Sequence, residues 1–206
     1  MPISSAIIEE AELNSGAGLA LVSYYYFDFR DSAKQDTRGL LTSILAQLSA
    51  KSDRCSDILS RLYSKHDAGS RQPGVRGLKQ CLIDMLGLAE APMTYVIVDA
   101  LDECPDTSES GMVSLREGVL EVVEELVDLH LPNLRSCFTS RPEADIIDAL
   151  EPLASHVVSL HDEKGQKEDI GEYIKPVVYS DRKMRRWRVE DKELVIDMLV
   201  RKADEM

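Results

Sequence analysis

The chain has 206 residues, 44% of them hydrophobic and 30% charged, and a formal net charge of −13. That is enough apolar material for one folded domain with a small appendage, and it excludes a disordered chain. The acidity excludes a general nucleic-acid binder, which needs Lys and Arg clustered on a basic face; Cys55, Cys81, Cys104 and Cys137, with no CxxC pair, read as reduced thiols of a cytoplasmic protein.

The start, MPISSAIIEE, has no basic region followed by an apolar core and does not read as a secretory signal. Ile7, Ile8 and Ala11 recur at helical spacing opposite Glu9, Glu10 and Glu12, which predicts a short amphipathic helix from Ser4 to Leu13, ended by Asn14-Ser15-Gly16. The longest apolar run, Ala17 to Tyr26, is far short of the roughly 20 residues that span a bilayer, so no membrane partner is expected. Leu19 to Phe29, rich in aromatic and branched residues and free of Pro, reads as a strand. Asp36 or Thr37 can cap a helix carrying Leu40, Leu41, Ile44, Leu45 and Leu48, and a second helix fits Ser56 to Lys65. Gly and Pro make Asp67 to Gly77 a loop, with a helix following to about Leu88.

Residues 94–99 form an apolar strand that ends in Asp99, and the polar loop CPDTSES follows. Ser114 to Leu129 is predicted helical, with Leu115, Val119, Val122, Val123, Leu126 and Leu129 on one face. Leu134 to Ser140 reads as a short strand, Glu143 to Leu150 as a helix, and Ser155 to Leu160 as the last strand. Lys167 to Val178 and Glu190 to Ala203 are predicted helices. Strands alternating with helices indicate an α/β fold with a parallel sheet covered on both faces.

Ligands of such sheets sit beyond the carboxyl ends of the strands, which directs attention to Asp28 to Asp31, Asp99 to Glu103, and Thr139 to Arg141. The second group is the sharpest. Asp99, Asp102 and Glu103 gather at the mouth of a buried strand, an arrangement that phosphoryl-transfer enzymes use to hold Mg²⁺.

VIVDALDEC followed by LRSCFTSRPE resembles the second acidic (Walker B) motif and the sensor strand of NACHT-type (STAND) signal-transducing P-loop NTPases. The order YYYFDFRD, VIVDALDEC, FTSRPE, KADEM is similar, more narrowly, to the fungal branch of that family and its nephrocystin-3-like N-terminal domain. The resemblance implies a three-layer P-loop NTPase-like parallel sheet over residues 1–162 and a helical segment over 163–206 leading towards a winged-helix region. It implies Mg²⁺ with ATP or GTP as cofactors, with Asp99 and Asp102 at the metal and Thr139 and Ser140 beside the nucleotide. Asp102 or Glu103 would polarise the attacking water, and Arg141 would sense the terminal phosphate. The partners it implies are related chains, in homo- or hetero-oligomers.

The phosphate cradle of that family, G-x-x-x-x-G-K-[ST], supplies backbone N–H groups, a Lys and a hydroxyl. This sequence contains none; Gly69 and Gly74 have the spacing, but Val75 and Arg76 replace the Lys and the hydroxyl residue. Against the family pattern, Ile3 to Glu10 resembles the helix that follows the cradle, and both ends are expected to be truncated. Two functions follow. One is a nucleotide-dependent signalling switch lacking a part; the other is a non-catalytic interaction module derived from such an NTPase.

The remaining features have structural readings. His66, His130, His156 and His161 are scattered and lack metal-ligand spacing. DRKMRRWR, Asp181 to Arg188, is a basic patch read as a helix junction with Trp187 packed inward. Tyr24, Tyr25 and Tyr26 alternate along a strand as packing residues, and Asp28 and Asp31 lie close to the predicted site.

Overall fold

Runs of β-branched and aromatic side chains form three parallel strands, β1 (Ala20–Tyr26), β2 (Met93–Asp99) and β3 (Leu134–Phe138), in the order β1-β2-β3. The structure is a computed structural model describing residues 3–16, 20–66, 71–89, 92–106, 114–159 and 166–203. The chain divides into two compact units, Met1–Ala154 and Ser155–Met206. The expected boundary between residues 162 and 163 lies outside the described residues.

Parallel neighbours cannot be joined by a tight turn, so the connections are helical. In the first unit α1 (Ile3–Gly16) precedes β1, and α2 (Thr37–Lys51), α3 (Asp53–Lys65) and α4 (Val75–Leu86) lead to β2. Helix α5 (Leu115–Asp128) connects β2 to β3, and α6 (Ala144–Leu150) follows. Asp36 caps α2 by accepting the Gly39 N–H at 2.7 Å, and Ser114 caps α5 by accepting the Glu117 N–H at 3.0 Å.

The pleat divides the side chains between two faces. Val22 and Ile97 pack with Ile8 and Ala11 of α1 on one, with Tyr24, Tyr26, Tyr95 and Cys137 around them. Tyr25, Val96 and Val98 point the other way, into a larger core with Leu40, Ile44, Leu48, Leu82 and Val119. Helices thus cover both faces of the sheet, giving the expected three-layer, P-loop-like α/β arrangement. At the outer edge of β1, Gln47 of α2 accepts the Tyr24 N–H at 3.0 Å and donates to its carbonyl at 2.7 Å. Lys51 donates to the Val22 carbonyl at 2.7 Å. These two side chains take the backbone groups that an edge strand otherwise exposes.

The second unit contains α7 (Gln166–Ser180) and α8 (Val189–Ala203), which pack as a pair with Val178 and Ile196 buried. Tyr179 ties them together. Its hydroxyl donates to Glu193 at 2.7 Å, and the Lys192 ammonium lies 5.1 Å from its ring centre.

Two expectations are corrected. Residues 155–159 are not a strand, and Val157 and Val158 are exposed; Leu160 lies outside the described residues. A pair of valines favours extended backbone, but without a ladder partner the N–H and C=O groups are better solvated by water. Trp187 is not packed inward: 47% of its surface is exposed, and Met184 is the half-buried residue of that turn. The four cysteines are free thiols, with Cys55, Cys81 and Cys104 buried. Among the described residues, no helix is long and apolar enough to cross a membrane.

Candidate functional site

Asp99 is the last residue of the central strand, and the chain must turn sharply after it. Ala100 makes that turn in the left-handed region, at φ 58° and ψ 50°, and Leu101–Glu103 follow as a single 3-10 turn. Leu101 and Cys104 are fully buried, so this turn hangs from the core by its apolar side chains, with Asp102 and Glu103 half-buried between them.

Thr139, just past the end of β3, locks the turn to the neighbouring strand. Its hydroxyl donates to an Asp99 carboxylate oxygen and accepts the Ala100 N–H at 3.2 Å. Its backbone N–H donates to the Val98 carbonyl, and its own carbonyl accepts the Leu101 N–H, each at 3.0 Å. One residue thereby fixes four consecutive residues of the acidic segment.

The other two carboxylates are also engaged. Asp102 accepts the Arg141 N–H at 3.0 Å and lies 3.5 Å from the Arg141 guanidinium; the Asp102 side chain is 11% exposed, that of Arg141 82%. Glu103 accepts the Phe29 N–H at 3.2 Å, which ties the turn to the segment after β1. The Ser140 hydroxyl, exposed, donates to the Arg141 carbonyl at 2.8 Å. Asp28 holds Arg30 through a guanidinium contact at 2.9 Å and a backbone N–H, which keep its carboxyl below the usual carboxylate range. Asp31 caps a short 3-10 turn.

Beyond the strand ends, then, Asp99, Asp102, Glu103, Thr139, Ser140 and Arg141 form one cluster, as the sequence predicts. Among the described residues, no three His, Cys, Asp or Glu side chains converge as a metal-binding group. All three carboxylates have partners, but Asp102 is bound to a cation, Arg141, and Glu103 to a backbone N–H, whereas the partner of Asp99 is the neutral Thr139 hydroxyl, which leaves Asp99 the best suited of the three to a hard cation. Mg²⁺ keeps several waters and commonly takes only one or two carboxylates, so a single Asp is compatible with it.

A family model for nephrocystin 3, N-terminal, matches residues 2–141, more than half of the chain. The chain belongs to that family. No curated protein and no solved structure matches it. In this nephrocystin 3 N-terminal domain the matched segment ends at Arg141, so it includes every residue of the cluster.

Sequence reasoning missed the residue that supports the turn from beneath. Arg116 of α5 is 8% exposed and donates to the Cys104 carbonyl and the Asp102 carbonyl, each at 2.9 Å. Its remaining N–H group meets the Asp145 carboxylate of α6 at 3.2 Å. The signal was present: Arg116 precedes Val119 and Leu120 by a helical turn, so a charged residue stands on the apolar face of α5. Burial with its carbonyl partners accounts for it. Cys104 sits in the same support, its thiol donating to the Gln35 carbonyl at 3.1 Å, and burial pushes its pKa up to about 12.

Proposed function

We propose that this nephrocystin 3 N-terminal domain is built on a NACHT-type nucleotide switch, with the cluster at the ends of β2 and β3 as its Mg²⁺-nucleotide side. The observation that carries the reading is the Thr139 hydroxyl on Asp99: an acidic residue ending the central strand, oriented by the adjacent strand, is the construction that a metal-bound phosphate needs. In this reading Asp99 would hold Mg²⁺, and the ion would neutralise phosphate charge. Asp102 keeps Arg141 close to the site, and the exposed Arg141 guanidinium would face the terminal phosphate. Glu103, or Asp102 once released from Arg141, would accept the proton of the attacking water. Thr139 and Ser140 line the nucleotide side, and ATP and GTP are both compatible.

The reading extends to binding more readily than to turnover, since the sequence contains no G-x-x-x-x-G-K-[ST] segment to hold the phosphates in line. A second reading, a non-catalytic interaction module derived from the same NTPase, is favoured by a specific observation: Asp102 and Glu103 already have internal partners. The two readings separate on Mg²⁺-dependent binding of a fluorescent ATP or GTP analogue to the chain, with Asp99→Asn and Arg141→Ala as controls. Saturable binding that needs Mg²⁺ and is weakened about tenfold or more by either substitution supports the switch. A folded sample that binds neither analogue leaves the interaction module.

A further inference from the structure

The turn between α7 and α8 carries five cations within seven residues, Arg182, Lys183, Arg185, Arg186 and Arg188, with Trp187 among them and no acid. These side chains are all exposed, and so is Val189, which follows them. Among the described residues, none of the five cations makes an ion pair, although the chain has 37 acidic residues and a net charge of −13. The turn has a defined shape. The Asp181 carboxylate accepts the Lys183 N–H at 2.6 Å, the Asp181 carbonyl accepts the Met184 N–H at 3.2 Å, and the Met184 carbonyl accepts the backbone N–H of Trp187 at 3.0 Å. Met184 is half-buried, while the cations, the indole and Val189 are left to solvent.

Unpaired cations call for an anionic counterpart, and an exposed Trp beside an exposed Val calls for an apolar one. The two kinds of side chain are interleaved in one short segment, so the partner has to offer negative charge and apolar material in adjacent layers. The surface of a bilayer that contains anionic lipid does so: its headgroups attract Lys and Arg, and an indole settles at the boundary just beneath them. A nucleic acid fits less well. It is held by a groove or face that tracks its backbone, whereas this is a single turn bounded by Asp181 on one side and by Glu190 and Asp191 on the other. Resting on a bilayer requires no spanning helix, so the lack of one among the described residues is no obstacle.

We propose that the turn between α7 and α8 is a docking site for an anionic membrane surface, with its cations on the headgroups and with Trp187 and Val189 in the interface. The contact is independent of nucleotide and of the cluster at the strand ends.

Trp187 is the only Trp of the chain, so its fluorescence reports on this turn without a label. Mixed with phosphatidylcholine vesicles containing about 30% phosphatidylserine in about 0.1 M salt, the chain is expected to sediment with the vesicles and its emission to shift to the blue. Vesicles of phosphatidylcholine alone, or about 1 M salt, should weaken binding about tenfold or more. Arg185→Gln/Arg186→Gln should do the same, while Arg185→Lys/Arg186→Lys, which keeps the charge, should bind as the wild type does. Arg201→Gln/Lys202→Gln removes as much charge about 18 Å along α8 from Val189 and should leave binding unchanged. A wild-type chain that stays in solution beside anionic vesicles overturns the proposal, as does an equal loss in the two glutamine variants, which would trace binding to net charge. Sedimentation without a blue shift overturns the insertion of Trp187. Binding to a single-stranded RNA that Arg185→Gln/Arg186→Gln abolishes, with no binding to vesicles, would assign the turn to nucleic acid instead.

Discussion

Thr139 uses one hydroxyl to orient a carboxylate and to satisfy the N–H of the strained residue beside it. Replacing it with Ala leaves the Ala100 N–H without its acceptor and Asp99 without its donor. The expected cost is about 2 kcal/mol in urea unfolding. Thr139→Ser, which keeps the hydroxyl, is expected to recover most of it. Equal losses in both variants would mean that the methyl group, and not the hydrogen bonds, carries the effect. At this scale the sequence exposed the acidic residues and Thr139 to Arg141, since they stand at or just beyond the carboxyl ends of predicted strands. It concealed which carboxylates were already engaged: the partners of Asp102 and Glu103 are a backbone N–H of Arg141 and one of Phe29, and backbone donors have no residue signature.

Helix α2 both covers the sheet and closes its edge. Its leucines and Ile44 fill the core, while Gln47 and Lys51 reach the outer backbone of β1. Gln47→Leu is expected to destabilise the domain by about 1–2 kcal/mol, because the Tyr24 N–H and C=O lose their partner. Light scattering on heating should show earlier aggregation as the edge opens. A variant with unchanged stability and aggregation would mean that water replaces the amide at no cost. Periodicity located α2, α5, β1 and β2 well, because a buried face repeats along the chain. It did not separate residues 155–159 from a true strand: two valines between polar residues have the composition of a strand, and pairing with a neighbour is what decides. Trp187 went astray for a related reason, since a large apolar side chain suggests burial while a short turn offers room for only one, taken by Met184.

Across the first unit, several protons are held by burial. Tyr25 is raised to about 12 by burial, then by Asp36, Cys104 and Asp31, and its hydroxyl has no hydrogen-bond partner among the described residues. Cys104 is raised to about 12 and Cys81 to about 11, chiefly by burial. The folded chain therefore retains these protons where the unfolded chain, with ordinary thiol and phenol values of 9.0 and 10.0, releases them. The unfolded state then holds fewer protons than the folded state, so the contribution is fully present below about pH 9 and is lost as pH rises towards about 12. Thermal midpoints should fall over that window, and Tyr25→Phe, which removes only an unpartnered hydroxyl, should flatten the fall without loss of stability at neutral pH. An unchanged alkaline slope in Tyr25→Phe would exclude Tyr25 as a contributor. What the sequence by itself determined is the α/β class, the parallel sheet and the place of the acidic cluster, because hydrophobic period and strand ends are local properties of the chain. Only the tertiary structure decided that Arg116 supports the acidic turn, that Arg141 pairs with Asp102, that β1 is closed by α2 and that Trp187 faces outward, because each depends on which distant segments come together.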